Sequence, residues 1–174
     1  MEQTLPLYKI NILKQEQIHV HFTVFETAQE LTKADQLLLK KAQQATADAY
    51  APYSQFHVGA AALLQNGEIV TGSNQENASS PAGLCAERVL LATVSSLYKQ
   101  VPIDSIAVSY HNKKNENNGK PVSPCGICRQ SLLEYQIQQQ KPIRLILSGM
   151  EGKVFIIEDV SKLLPLSFSS ADIK

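Results

Sequence analysis

The feature that most constrains this chain is a pair of widely separated cysteine groups, Cys85-Ala86-Glu87-Arg88 and Pro124-Cys125-Gly126-Ile127-Cys128-Arg129-Gln130. Each reads as the point where a loop turns into a helix. A helix start offers unpaired N–H groups and the positive end of the macrodipole, and both favour a thiolate over a thiol. Cys125 and Cys128 stand three apart, so on a first helical turn both sulfurs can face one ion. Metal–thiolate bonds of about 2.3 Å are short enough to demand that convergence.

The donor count then sets the kind of site. A structural zinc takes four protein ligands, whereas a catalytic zinc keeps one position for water. The chain has three cysteines, and His19, His21, His57 and His111 lie outside any ligand-like spacing. A three-cysteine zinc site with an open position is the expectation. Glu87 supplies what such a site lacks, a carboxylate that can move protons. Alone it would read as a favourable charge in a helix's first turn; bracketed by Cys85 and Arg88, it reads as the proton carrier. Three thiolates leave a divalent ion with excess negative charge. Arg88, three after Cys85, is placed to hydrogen-bond the sulfurs and compensate it, with help from the two helix starts.

The bulk of the sequence narrows the setting. The 174 residues, 44% hydrophobic, suit one globular domain. Formal net charge is zero and no Lys/Arg stripe appears, which argues against nucleic acid or anionic membrane as partner. Residues 1–4 lack the basic start of a signal peptide, and the longest apolar run, 58–64, is too short to span a bilayer. An odd cysteine count with one Cys-x-x-Cys favours metal or redox chemistry over a disulfide framework, and a cytoplasmic location follows.

Periodicity places the elements. Ile18, Val20, Phe22 and Val24 alternate with His19, His21, Thr23 and Phe25, which predicts a strand with one apolar face. Thr32 with Asp35 predicts a helix cap, and Leu38, Ala42, Ala45 and Ala49 keep helical spacing up to Pro52. Residues 56–71 read as a hairpin with Asn66-Gly67 as a two-residue type I′ turn. Helices are expected over 89–97 and 129–138, and strands over 103–109, 143–147 and 154–157. Residues 111–120 read as a surface loop, and Asp159 as the cap of a last short helix ended by Pro165. Alternating strands and helices argue for a layered α/β or α+β fold.

With these motifs in hand, the chain resembles the cytidine deaminase family, in its short, three-cysteine form. The likeness extends beyond the cysteine groups. Residues 51–61 (Ala51-Pro52-Tyr53-Ser54-Gln55-Phe56-His57-Val58-Gly59-Ala60-Ala61) resemble the family's opening signature, residues 74–79 its sugar-binding segment, and residues 163–168 its C-terminal motif. The resemblance runs from about residue 49 to 173. Ser80 departs from it, standing where many relatives carry an aromatic residue; the loop before Pro121 is long, and the first forty residues exceed what a short member needs.

The resemblance implies a three-layer α-β-α sandwich around a mixed five-stranded sheet. Residues 41–174 would form the catalytic domain, with residues 1–40 as an N-terminal extension packed on it. It implies Zn2+ held by Cys85, Cys125 and Cys128, with Glu87 as proton shuttle in hydrolysis of cytidine and deoxycytidine to the uracil nucleosides and ammonia, a pyrimidine-salvage reaction. Asn74 and Glu76 would bind the ribose hydroxyls and Phe56 would pack beside the nucleoside. The Ala86 backbone would meet the pyrimidine carbonyl. Phe168 would reach the base in a neighbouring subunit of a homotetramer with shared sites. Six residues from the C-terminus, Phe168 has little of its own chain left to cover it. Three alternatives stay open at this point: a deaminase of a cytosine analogue, a polynucleotide-editing deaminase, which neutral charge disfavours, and a non-catalytic zinc-stabilised interaction domain.

Overall fold

Thr32 opens the first helix as the sequence predicts. The computed structural model describes residues 14–115 and 117–173, so the first thirteen residues of the expected extension lie outside it. Helix α1 (Lys33–Ala45) starts with Thr32 extended and its Oγ1 accepting from the Asp35 N–H at 3.2 Å. Such a cap contributes about 1 kcal/mol. Asp35 also takes a two-pronged ion pair from Arg144 on a distant strand, so the cap doubles as a tertiary tie. The helix stops earlier than its spacing suggests. Thr46 bonds back to the Gln43 carbonyl at 2.7 Å, and the chain tightens into a 3-10 turn at Thr46–Asp48, leaving Ala49 outside the helix.

Two further helices, α2 (Ala86–Leu97) and α3 (Gly126–Gln139), alternate with six strands. These are β1 (Thr23–Phe25), β2 (Phe56–Leu64), β3 (Ile69–Ser73), β4 (Ile103–Asn112), β5 (Arg144–Ser148) and β6 (Val154–Ile157). They form one mixed sheet in the order β1-β6-β5-β4-β2-β3, in which only the β4–β5 pair is parallel. Helix α1 packs on one face through Leu38, Leu39 and Ala42 against Ala61, Ala107, Ile146 and Ile156. The α2 and α3 side chains Leu90, Val94 and Leu132 pack on the other, against Ala60, Ala62, Ile106, Val108 and Leu145. A fully buried Leu or Val in these layers contributes about 1.5–3 kcal/mol. The expected α-β-α sandwich is present, with one strand more than five.

That sixth strand is β1, and it is shorter than its alternation predicts. Thr23, Val24 and Phe25 pair with Ile156, Phe155 and Val154 of the short β6, while residues 18–22 run on unpaired. Ile18, Val20, Phe22 and Val24 remain exposed, with Phe22 resting on the Phe155 ring at 5.0 Å.

The hairpin differs from expectation too. Leu64 accepts from the Gly67 N–H at 2.9 Å and donates to the Glu68 carbonyl, which makes a three-residue loop. Gly67 has φ 87°, whereas Asn66 is not among the residues with positive φ. A type I′ turn needs positive φ at both central residues; a type I turn closed by a left-handed glycine needs it at one.

Candidate metal centre and its cavity

Strands β3, β4 and β5 run in one direction, as their pairings with and beside β2 require. Their carboxyl ends therefore lie on one side of the sheet, and the chain leaves β3 and β4 there to enter α2 and α3. Both cysteine groups consequently arrive at the same edge. Cys85 is the residue before α2, and Cys125 the residue before α3, where its Sγ accepts from the Cys128 N–H at 3.4 Å.

The three sulfurs converge. Cys85 Sγ lies 3.8 Å from Cys125 Sγ, Cys125 Sγ 3.4 Å from Cys128 Sγ, and all three sit within 4.8 Å of one another. A tetrahedral ion with thiolate bonds of 2.3 Å places its sulfurs about 3.8 Å apart, so the donor set fits zinc. Among the described residues these three donors make up the cluster, and no histidine joins them.

The cluster is already primed to lose a proton. A hydrogen bond from the Cys128 thiol brings Cys85 down to about 6; burial and the Glu87 charge oppose this, while Cys125 and the Arg88 charge assist it. Cys128 moves up, because it is the donor to Cys85 and is buried. Glu87, 5% exposed, sits in the first turn of α2, and burial raises its carboxyl above the usual range. That is the environment in which a carboxyl group carries protons near neutrality.

A cavity of about 660 Å³ opens onto Cys85, Cys125 and Glu87. Phe56, Asn74, Glu76 and Ser80 line it, so most residues assigned from the sequence share one space. The Glu76 Oε2 accepts from the Tyr53 and Ser54 N–H groups at 2.8 and 3.3 Å. Asn74 spends part of its amide on the scaffold: Oδ1 accepts from the Val58 N–H at 2.7 Å and Nδ2 donates to the Phe56 carbonyl at 3.0 Å. One N–H and one lone pair remain to offer a ligand. Ala86 is fully buried as the first residue of α2, where a backbone N–H has no partner within the helix.

Four assigned residues are not part of the cavity lining: Cys128 and Ala86, both fully buried, and Arg88 and Phe168. Arg88 lines a separate hollow between α2 and α3 with Glu134 and Gln130. Among the described residues its guanidinium makes no hydrogen bond to a sulfur, and it reaches Cys85 only through its charge. Phe168 is 62% exposed, with its carbonyl held by Gln130 Nε2 at 3.0 Å.

Other residues at the site carry no local sequence signal. Tyr110 stacks on Phe56 with ring centroids 4.8 Å apart, because β2 and β4 pair Val58 with Tyr110. Val108, from within β4, and Ser148, at the end of β5, also line the cavity. Arg129 bonds both the Pro124 and Leu163 carbonyls at 3.0 Å, which fixes the turn carrying Cys125.

Comparison with known proteins agrees with this site. The family model described as "Cytidine and deoxycytidylate deaminase zinc-binding region" matches residues 32–141. A cytidine deaminase of Halalkalibacterium halodurans is 39% identical over 137 residues, covering 79% of this chain and 96% of that one. The crystal structure of a cytidine deaminase from Burkholderia pseudomallei superposes with a TM-score of 0.66 at 34% identity, covering 79% of this chain and all of that one. One from Mycobacterium tuberculosis gives 0.58 at 33%, over 76% and 94%. The chain belongs to the cytidine and deoxycytidylate deaminase family, whose zinc-binding region it carries. No helix among the described residues is long and apolar enough to cross a membrane.

Proposed function

We propose that this chain is a zinc-dependent hydrolase that deaminates the free nucleosides cytidine and deoxycytidine, yielding the uracil nucleosides and ammonia. One observation carries this reading: three converging thiols and a buried carboxyl open onto a cavity whose acidic lining residues, among those described, are Glu76 and Glu87, with no Lys or Arg in the lining. A nucleotide's phosphate would find no Lys or Arg in that lining to pair with, which favours a nucleoside within a family that also covers deoxycytidylate.

Cys85, Cys125 and Cys128 would hold the zinc, and Glu87 stays free of it. Bound there, zinc acidifies water so that a nucleophile is available near neutral pH. Glu87 takes the proton released as water adds to C4 of the pyrimidine and hands one to N3, whose ring conjugation the addition breaks. It then takes the remaining proton from the hydroxyl now on C4 and delivers it to the exocyclic amine. The C4–N bond breaks, C4 keeps the oxygen, and ammonia leaves without any redox change. Glu76 and the remaining Asn74 groups bind the sugar hydroxyls, Phe56 flanks the nucleoside on its Tyr110 support, and the Ala86 N–H meets the pyrimidine carbonyl. Arg88 offsets the thiolate charge electrostatically.

Assembly and setting complete the reading. The exposed Phe168 ring suits a homotetramer in which it closes a neighbour's site. Residues 41–174 serve as the catalytic domain, with residues 1–40 as an extension on it. Reduced thiols suit the cytoplasm, and the reaction suits pyrimidine salvage. A panel of cytosine, cytidine, deoxycytidine and cytidine 5′-monophosphate, followed by loss of amine absorbance, tests the reading. Turnover of the two nucleosides alone is expected. Preference for the nucleotide, or zinc-replete protein inert on every member, would sink it.

A further inference from the structure

The long loop after β4 takes no part in the chemistry above, yet it is tied to the cavity mouth. Asn118, itself buried, accepts from the Asn112 N–H through Oδ1, and Asn112 Oδ1 in turn accepts from the Lys114 N–H at 3.0 Å. The loop is thus built to hold Lys114 in place. From there two bonds cross to the segment that opens the site. The Lys113 N–H donates to the Gln55 carbonyl at 3.0 Å, and Lys114 Nζ donates to the Tyr53 carbonyl at 3.3 Å.

The Tyr53 carbonyl and the Ser54 N–H belong to one peptide unit. Lys114 holds its oxygen end while its N–H end donates to Glu76 Oε2 at 3.3 Å, beside the Tyr53 N–H at 2.8 Å. A cation on a peptide oxygen polarises the N–H across the same plane and strengthens it as a donor. The segment also needs restraint, because Gln55 adopts a left-handed φ of 57° inside a tight turn closed by its N–H to the Ala51 carbonyl. With Oε2 committed to two backbone donors, Oε1 is the oxygen that these donors leave free to accept.

We propose that Lys114 is a positioning residue for sugar recognition, acting through the Tyr53–Ser54 peptide to fix the Glu76 carboxylate in the cavity wall. The proposal rests on the nucleoside reading of this cavity and assigns part of its specificity to a loop outside the motifs. The Lys114 charge is also among the influences that hold Glu76 below the usual carboxylate range, behind the Ser54 side chain and the backbone donors and against burial.

The test compares wild type, Lys114→Met and Lys114→Arg as zinc-loaded full chains, on cytidine and on dideoxycytidine, whose sugar lacks both secondary hydroxyls. Lys114 is exposed, so Lys114→Met is expected to keep the wild-type thermal midpoint. Its KM for cytidine should rise about three- to tenfold, the scale of one hydrogen bond, while kcat stays within about twofold. On dideoxycytidine the variant and wild type should match, and Lys114→Arg should restore the cytidine KM. In a Glu76→Gln background the Lys114→Met effect should vanish. An equal rise on both substrates, or an unchanged cytidine KM, overturns the positioning role. Failure of the wild type to turn over cytidine at all overturns the nucleoside reading beneath it.

Discussion

Gly72 gives the sharpest structural prediction, because it sets the distance between β3 and the start of α2. A Cβ added there would lie 2.6 Å from the Leu90 nitrogen, 2.8 Å from the Ala86 carbonyl oxygen and 2.9 Å from the Leu90 Cα. All three are backbone atoms, so no side chain can swing aside. Ordinary contact begins near 3.4 Å, and α2 must retreat by about 0.8 Å, an overpacking that costs about 1–3 kcal/mol. The displaced residue, Ala86, stands between Cys85 and Glu87. A misplacement near 1 Å at a reacting centre costs about 100-fold in rate, so Gly72→Ala should lose about that factor in kcat/KM for cytidine and lower the urea midpoint. Gly126 is the control, since it opens α3 among the cysteines yet an added Cβ there meets nothing within 4 Å. Gly126→Ala should keep zinc and rate within about twofold and gain about 0.4–1 kcal/mol from reduced unfolded-state freedom. Urea unfolding, zinc content and initial rates on both variants decide the matter. A Gly72→Ala protein with wild-type midpoint and rate would refute the packing argument.

Three further outcomes follow from the same geometry. Glu87→Gln should retain zinc by metal analysis while kcat falls about 100- to 10,000-fold, the range for a lost proton carrier; zinc lost in step with activity would make Glu87 a ligand instead. Phe168→Ala should raise the KM for cytidine about tenfold with zinc unchanged, in a protein whose light scattering gives a tetramer, consistent with burial of about 1.5–3 kcal/mol; a fully active monomer would contradict shared sites. Burial alone would raise Asp35, but the Arg144 and Thr32 hydrogen bonds and the Arg144 charge outweigh it and hold the carboxyl below its ordinary 3.8. A depressed folded value means stability that is present above the unfolded pKa and lost as pH falls through the folded one. Urea midpoints of wild type should therefore drop more steeply below about pH 4 than those of Asp35→Asn, and parallel curves would remove Asp35 from the acid response.

What the sequence made legible was local chemistry. Thr32 and Asp35 form a cap three residues apart, and the cysteine groups sit at helix starts that their own loops create. Both follow from neighbours along the chain. The misses came where a partner decides. The alternation over 18–25 is a real strand pattern, yet within it only Thr23–Phe25 pair, with the short β6. Asn66-Gly67 suggested one turn, and the Leu64–Glu68 pairing selected another. Tyr110 meets Phe56 and Lys114 meets Tyr53 only because β2 and β4 lie side by side, a register that no spacing along the chain encodes.

The central claim is hydrolysis at C4 of a cytosine nucleoside, and isotopically heavy water oxygen tests it most directly. Zinc-loaded protein is incubated with cytidine in such water, and the product is weighed by mass spectrometry while ammonia is counted. The account predicts uridine carrying one heavy oxygen at C4 for each ammonia released, with none of either from the Glu87→Gln protein above its residual rate. Zinc-replete protein that releases no ammonia, or releases it without labelled uridine, would contradict it.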